Sequence, residues 1–180
     1  MPAIVLMLTV RGSLYFYRIK ANKKPDETLM TNQQDTSSLH GNCLWVNETG
    51  VLILGKAASG KTGLTLAMIN SGRGTLVADD QVIINRAHKI LMASPPDALQ
   101  GMMQIHGIGI VDFDYMAPVP LHLIIQLVPH EDVPLIAEKS EKEIEGLSLP
   151  LLRLAGHEAS SADTLWLATE LLKKEMLFKV

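Results

Sequence analysis

The feature that most constrains this chain is an eight-residue segment, Gly55-Lys56-Ala57-Ala58-Ser59-Gly60-Lys61-Thr62. It matches the phosphate-binding pattern G-x-x-x-x-G-K-[ST] and stands between an apolar run at residues 51–54 and a stretch with helical spacing. Backbone N–H groups of such a loop and the positive end of the following helix dipole surround a phosphate, so the loop needs a strand before it and a helix after it. The segment therefore predicts a P-loop in an α/β domain, with Lys61 at the β and γ phosphate oxygens and Thr62 as a ligand of Mg²⁺.

Two adjacent aspartates, Asp79 and Asp80, follow the next apolar run at residues 75–78. A P-loop needs a carboxylate at the end of a neighbouring strand to hold the metal ion or its water. Neighbouring residues in a strand point to opposite faces of the sheet, so one aspartate could face the phosphates while the other contacts a different partner. We therefore expect the two carboxylates to have different roles.

The remaining pattern favours one domain of the mixed α/β class, since 180 residues with 47% hydrophobic content suit a single core. Apolar runs broken by turn signals predict strands at 43–46, 51–54, 75–78, 82–84, 90–92, 102–105, 121–128 and 149–154. The first two runs have hairpin spacing, with Gly50 where a positive φ would be needed, and residues 82–84 and 90–92 are predicted to form a second hairpin. The Glu- and Lys-rich segment 138–145 is predicted to be a solvated stretch.

Two helices are predicted. The first begins near Lys61, ends at Gly72-Arg73-Gly74 and has one face formed by Leu64, Ala67, Met68 and Ser71. The second lies at the C-terminus, where Ser160-Ser161-Ala162-Asp163 resembles a capping box. Its predicted apolar face consists of Leu165, Ala168, Leu171 or Leu172, and Met176.

Residues 1–38 differ in character from the rest of the chain. The apolar run at residues 3–10 is far shorter than the roughly 20 residues of a spanning helix, and residues 20–38 lack apolar periodicity. We therefore predict a poorly ordered N-terminal extension at 1–38 and a folded domain at 39–180. The sequence does not decide between Met1 and Met30 as the natural start of the protein.

Charge and cysteine content narrow the possible partners and location. Lys and Arg total 16 and Asp and Glu total 19, a formal net charge of −3 that disfavours a nucleic-acid groove. A single cysteine, Cys43, fits a reducing compartment, so we expect a cytoplasmic protein without a membrane partner. Five histidines lack the spacing of a zinc site and are predicted to be structural: His88, His106, His122, His130 and His157.

Several segments together resemble the catalytic domain of HPr kinase/phosphorylase. They are His40, the loop 55–62, the strand end Leu76-Val77-Ala78-Asp79-Asp80, Pro95-Pro96 and the stretch 103–110. The resemblance covers most of residues 39–128 and is to the short form found in alphaproteobacteria. It implies an α/β P-loop domain of the phosphoenolpyruvate carboxykinase-like type, in which a mixed sheet carries a central P-loop helix and a C-terminal helix.

The resemblance also implies an activity, with ATP and Mg²⁺ as cofactors and a serine of the phosphocarrier protein HPr as the phosphorylated group. By this resemblance Lys61 contacts the transferred phosphoryl group, Thr62 binds Mg²⁺, and Asp79 or Asp80, with Asp80 preferred, takes the serine proton. His40 would lie beside that aspartate. Members of the family assemble as hexamers and regulate the phosphotransferase system.

The chain departs from the family pattern at several positions. Gln104 stands where the longer enzymes carry a metal-binding Glu, His106 stands where they carry Arg, and Ala57 and Ala58 replace Ser and Gly. An amide oxygen is a weaker Mg²⁺ ligand than a carboxylate, and no counterpart of a later arginine-containing segment is seen. Kinase action is therefore better supported than the reverse phosphorylase reaction. The alternative is a nucleotide-sensing module that binds HPr or a sensor kinase with little phosphate transfer, while a small-molecule kinase is disfavoured because no Arg-rich lid segment is present.

Overall fold

A computed structural model describes residues 4–10, 13–19 and 36–179. Within these residues the chain forms two α-helices, α1 (Lys61–Asn70) and α2 (Ser161–Lys173), and thirteen β-strands. In chain order the strands are β1 (Ile4–Val10), β2 (Ser13–Ile19), β3 (Thr36–His40), β4 (Asn42–Val46), β5 (Thr49–Leu54), β6 (Thr75–Ala78), β7 (Gln81–Ala87), β8 (Ile90–Ser94), β9 (Met102–Ile105), β10 (Gly109–Asp112), β11 (Val119–Val128), β12 (Glu141–Ile144) and β13 (Leu147–Ala155).

Nine of these strands form one mixed sheet, in the order β3-β7-β8-β11-β5-β4-β6, with β13 also paired to β11 and β12 paired to β13. The long strand β11 connects the parts of this sheet. Its first residues pair with β8 in antiparallel fashion, and the rest of it runs parallel to β5 and β13. The mixed α/β architecture that the sequence predicts is thus confirmed.

Strand β11 is buried on both faces, which explains its nearly continuous apolar sequence. Residues 119, 121 and 124 belong to a first core with β7 and β8. Residues 123, 125 and 127 belong to a second core, which lies between the sheet and the two helices. In this second core Leu64 and Met68 of α1 are clustered with Leu44 and Val46 of β4, so that the helix is fixed on the sheet directly after the 55–62 loop.

The β4–β5 hairpin is present, but the prediction that Gly50 supplies its positive φ is wrong. The turn consists of Asn47 and Glu48, whose φ values are 47° and 59°, as a two-residue turn of this hand requires. Gly50 lies inside β5 and is needed for a different reason, since a Cβ atom there would stand 1.9 Å from the carbonyl oxygen of Pro120. The second predicted hairpin is confirmed as β7–β8.

Helix α1 begins at Lys61 as predicted and buries Leu64 and Met68. The rest of the predicted face is wrong, because Ala67 and Ser71 are exposed and Thr65 is buried instead. Thr65 is thus a polar residue on the face of α1 that packs on the sheet.

Helix α2 does not begin with the predicted capping box. Ser160 makes no side-chain cap, and Asp163 instead pairs with Arg73 at 2.5 Å, which joins the two helical regions. Leu165 and Ala168 are buried as expected, whereas Met176 lies beyond the helix and is exposed.

The segment 138–145 contains strand β12, so the expectation of a merely solvated stretch is only partly right. Glu141, Lys142 and Glu143 are exposed, but Ile144 is buried in the first core and the strand pairs with β13. Exposed charged side chains suit an edge strand, because they disfavour pairing with another chain.

Strands β1 and β2 form an antiparallel hairpin within the N-terminal region. Residues 20–35, including Met30, lie outside the described residues. The proposed division between residues 38 and 39 falls within β3, which pairs with β7, and it stays a prediction. Across the described ranges, neither helix has the length and apolar character that crossing a bilayer requires.

Candidate functional site

The 55–62 loop leads from β5 into the first turn of α1, and the residue before the helix, Gly60, has the left-handed φ of 95°. No side chain caps this end of the helix, and its first turn contains no acidic residue. The N–H groups of a first helical turn have no partner within the helix, and an acid there would normally be favourable. The loop therefore leaves a positive helix end open to an anion.

Lys61 lies at this helix end with its side chain turned back along the loop. Its Nζ donates to the carbonyl oxygens of Gly55 at 3.0 Å and Lys56 at 3.1 Å. The Ser59 Oγ is buried and has no hydrogen-bond partner among the described residues. A cation and an unpaired hydroxyl thus stand in one loop, which is the chemistry that a phosphate group satisfies.

The connection between β13 and α2 packs directly on the loop. A Cβ atom at Gly156 would stand 2.1 Å from the carbonyl oxygen of Ser59, so only glycine fits there without movement. The Nε2 of His157 lies 2.8 Å from the carbonyl oxygen of Ala58, and because a carbonyl only accepts, Nε2 carries the hydrogen in this contact. Ala58 itself has φ 60°, a left-handed conformation that glycine adopts more readily than alanine.

Asp79 follows the end of β6 and is 8% exposed. Its Oδ1 accepts from Asn42 Nδ2 at 2.7 Å, and its Oδ2 accepts from the backbone N–H of Gln104 at 3.1 Å. Burial, the largest influence, raises the pKa of the Asp79 carboxyl above its usual range. The bond from Gln104 opposes this rise, the charge of Asp80 adds to it, and Asn42 and Lys61 oppose it.

Asp80 differs from Asp79 in its exposure, its backbone conformation and its side-chain partner. Its side chain is 74% exposed, its φ is 62°, and its Oδ1 lies 3.1 Å from Nδ1 of the exposed His40. The two aspartates do point apart as expected, but a turn after β6 separates them, not the alternation of a strand. The structure brings His40 and Asp80 together across 40 positions of sequence.

The two residues predicted to bind a metal ion lie on different elements. Thr62 is half-buried in the first turn of α1. Gln104 has an exposed side chain on β9, while its backbone N–H anchors Asp79. Hydroxyl and amide oxygens are hard ligands of the kind that Mg²⁺ accepts, although a carboxylate would bind it more strongly.

Two residues near the site were missed by sequence reasoning. Asn42 is buried and touches Asp79, Asp80 and Thr65. The available signal was alternation, since Asn42 precedes Leu44 and Val46 on one face of a strand and is the single polar member of that face. The contact of His157 with the loop carried no such signal, because it joins segments 99 positions apart.

Cys43 and His122, which the sequence predicts to be structural, are both surrounded by the sheet. Cys43 is fully buried, and burial raises the pKa of its thiol well above the usual range. His122 is half-buried, accepts a hydrogen bond from the Gly50 N–H at its Nδ1 and has its pKa lowered by burial. Among the residues that the structure describes, no group of three or more His, Cys, Asp or Glu could hold a metal ion.

Residues 31–154 match the family model for the HPr Serine kinase C-terminal domain. The chain is 30% identical over 170 residues to the HPr kinase/phosphorylase of Chloroherpeton thalassium, covering 85% of this chain and 49% of that protein. It is 40% identical over 78 residues to the HPr kinase/phosphorylase of Alkaliphilus metalliredigens, covering 43% of this chain and 25% of that protein.

The fold is similar to the structure of the Hpr(Ser) kinase/phosphatase from Coxiella burnetii, with a TM-score of 0.68 and 30% identity. That similarity covers 77% of this chain and 93% of the solved one. The chain spans 49% and 25% of the length of the two curated relatives, from Chloroherpeton thalassium and Alkaliphilus metalliredigens respectively.

Proposed function

Because the chain belongs to the HPr Serine kinase C-terminal domain family, we propose that it is an ATP- and Mg²⁺-dependent protein serine kinase that phosphorylates the phosphocarrier protein HPr. The observation that carries the proposal is the contact between His40 and the exposed carboxylate of Asp80, next to the buried Asp79. Asn42 links this pair to α1, the helix that follows the 55–62 loop. An exposed acid that can accept the proton of the attacking hydroxyl is what transfer to a protein serine requires.

The 55–62 loop is proposed to bind the phosphates of ATP. Its backbone N–H groups, the open end of α1 and the unpaired Ser59 Oγ would contact phosphate oxygens. Lys61 would exchange its two carbonyl contacts for the phosphoryl group that is transferred. Most of the rate acceleration would come from this positioning and from the positive charge of Lys61.

The oxygen donors at the site fit Mg²⁺. Thr62 and Gln104 would hold the ion, with Asp79 as the carboxylate anchored beside Gln104. When bound, Mg²⁺ would neutralise negative charge that develops on the phosphate oxygens. The neutral Gln104 predicts a weaker site than a carboxylate would form.

Asp80 is proposed as the proton acceptor. Its carboxylate would take the hydrogen of the serine hydroxyl as the serine oxygen bonds to the γ-phosphorus and the bond from that phosphorus to the β–γ bridging oxygen breaks. ADP would leave with the electron pair of the broken bond. His40 would keep the carboxylate oriented through its contact with Oδ1.

The same proposal extends to the fold type and the setting of the protein. We assign the domain to the phosphoenolpyruvate carboxykinase-like P-loop type, with a cytoplasmic location and assembly as a hexamer, on the strength of the family resemblance. Transfer to HPr is favoured over the reverse reaction, because Gln104 and His106 stand where the longer enzymes carry Glu and Arg.

A nucleotide-sensing module is the second candidate, and the neutral, exposed Gln104 is the observation that favours it. In this alternative the chain binds ATP, and HPr or a sensor kinase, but transfers phosphate poorly. ATP binding without phosphate transfer would distinguish it from the kinase.

Intact-protein mass spectrometry of HPr after incubation with this protein and Mg-ATP tests the proposal. We expect one added phosphate on a serine with the wild-type chain and none with Lys61→Ala. ATP binding without added phosphate would replace the kinase with the nucleotide-sensing module. Failure to bind ATP at all would overturn both functions.

A further inference from the structure

Asn42 is a buried polar residue at the start of β4, where it is 1% exposed. It shares one face of the strand with Leu44 and Val46, which are clustered with α1 in the second core. A polar side chain at such a position lowers stability unless its hydrogen-bonding groups are satisfied. The hydrogen-bond partners of the Asn42 side chain therefore indicate which parts of the site it holds in place.

Each polar atom of the Asn42 amide has a partner near the proposed site. The Nδ2 donates to Thr65 Oγ1 at 3.0 Å and to Asp79 Oδ1 at 2.7 Å. The Oδ1 accepts from the backbone N–H of Asp80 at 3.3 Å. One short side chain thus contacts α1 and both aspartates.

These contacts act differently on the two aspartates. For Asp79 the bond fixes one carboxylate oxygen, and Gln104 fixes the other, so that this carboxylate is held inward. For Asp80 the bond is from the backbone N–H, at a residue with φ 62°, a left-handed conformation that aspartate adopts more readily than most residues other than glycine. Holding that backbone directs the Asp80 side chain outward, where it meets His40.

We infer that Asn42 is a positioning residue that separates the acid pair, holding Asp79 inward and Asp80 outward, and fixes both to α1 through Thr65. The inference rests on the proposed function, because it assigns Asp80 as the group that must be presented to the substrate. Only an amide meets the geometry: an ionised carboxylate has no hydrogen to donate to Asp79, and a hydroxyl has one donor where two are used.

The variant Asn42→Val tests this inference, since valine suits a strand and removes all three bonds. Leu44→Val is the matched control, because Leu44 lies on the same face of the same strand and is also fully buried. The first readout is amide hydrogen exchange of Asp80 and Gln104, followed by NMR. The second is kcat and the KM for ATP, with HPr as the phosphate acceptor.

We expect exchange at the Asp80 amide to be about tenfold faster in Asn42→Val, because its acceptor is gone. We expect kcat to fall about tenfold or more while the KM for ATP changes by less than about threefold, since the 55–62 loop is untouched. Leu44→Val should leave exchange at Asp80 and the kcat within about threefold of the wild type. A merely structural role would lower stability without this split.

Two results would overturn the inference: unchanged exchange at Asp80 in Asn42→Val, or equal changes in Leu44→Val. If Asn42→Val does not fold, Thr65→Val removes one of the three partners, and Thr65→Ser should restore the wild-type values because it keeps the hydroxyl. If wild-type protein does not phosphorylate HPr, the proposed function fails, and exchange at Asp80 still decides whether Asn42 holds the acid pair.

Discussion

In the 55–62 loop, the Lys61 ammonium bonds to carbonyl groups five and six positions away, whereas the turn at Asp79 and Asp80 is held by groups 25 to 38 positions away. The lysine contacts of the loop are thus local, although the connection between β13 and α2 also packs on the loop. The acid turn depends on β4 and β9, and its Asp80 meets His40 at the end of β3. We therefore expect the proposed ATP binding to depend mainly on the loop and the proposed phosphate transfer on the acid turn, so that variants should affect one without the other.

Gly156→Ala should have the largest effect among the variants that test the loop side of this comparison. The new Cβ would stand 2.1 Å from the Ser59 carbonyl oxygen, which forces the loop to move and costs about 1–3 kcal/mol of stability. We expect the Kd for ATP, measured by calorimetry, to rise about tenfold or more.

Gly63→Ala is the matched control for this variant. Gly63 is exposed in α1 and has nothing within 4 Å of a built Cβ, so the change should stabilise the helix by up to about 1 kcal/mol. ATP binding that is equally weakened in both variants would show that the contact at Gly156 is not what holds the loop.

Gln104→Glu should sharpen the acid side of the comparison. A carboxylate is a stronger Mg²⁺ ligand than an amide oxygen. We therefore expect the Mg²⁺ concentration for half-maximal transfer to fall several-fold, by at most about tenfold. The measurement is the initial rate of HPr phosphorylation across a Mg²⁺ titration. Unchanged turnover and Mg²⁺ demand would instead favour the nucleotide-sensing module.

The buried Asp79 predicts a pH dependence of stability. Its pKa in the folded protein lies above the ordinary aspartate value of 3.8, so the folded state binds the proton more tightly than the unfolded chain. The stability from this group is therefore fully present below pH 3.8 and is lost as pH rises through the raised pKa. We expect the wild type to lose stability relative to Asp79→Asn from about pH 4 upward in urea unfolding.

Asparagine has one acceptor oxygen where Asp79 uses two, so the variant loses one of the bonds from Asn42 and Gln104. That loss gives a constant offset, so the slope with pH is the readout. A stability difference that does not vary with pH would contradict a shifted Asp79.

Ala58→Gly should have the smallest effect. Ala58 has φ 60°, and relief of that left-handed conformation should outweigh the entropy cost of glycine by roughly 0.5–1 kcal/mol. Thermal unfolding measures the change, and Ala57→Gly is the control, since Ala57 is not among the positive-φ residues. A drop in the melting temperature of Ala58→Gly would show that the turn is not strained.

The loop and α1 could be predicted from the sequence because the residues that make them are contiguous. Glycines, the lysine and the hydroxyl stand at fixed spacing between an apolar strand and a helix, and β5 and α1 lie where that spacing puts them. The presence of two aspartates at the end of β6 could be predicted for the same reason.

The rest of the site depends on contacts between distant segments. Asn42, Gly156 and His157 belong to no sequence motif, because their partners lie far away in the chain. Those partners are in α1 and the turn after β6 for Asn42, and in the 55–62 loop for Gly156 and His157. The capping box failed for a related reason, since Asp163 pairs with Arg73 from a distant turn and does not cap α2. A capping pattern in the sequence predicts the cap only when no distant residue pairs with the capping side chain.

Asp80→Asn tests most directly whether phosphate transfer depends on the Asp80 carboxylate while ATP binding does not. It is compared with the wild type in two measurements on the same preparations. One is the Kd for ATP by calorimetry, and the other is the initial rate of phosphoserine formation on HPr. We expect a Kd within about twofold of the wild type and a rate that falls by about 100-fold or more, because the proposed proton acceptor is lost while the loop is intact. A rate that persists, or a Kd and a rate that weaken together, would contradict this expectation.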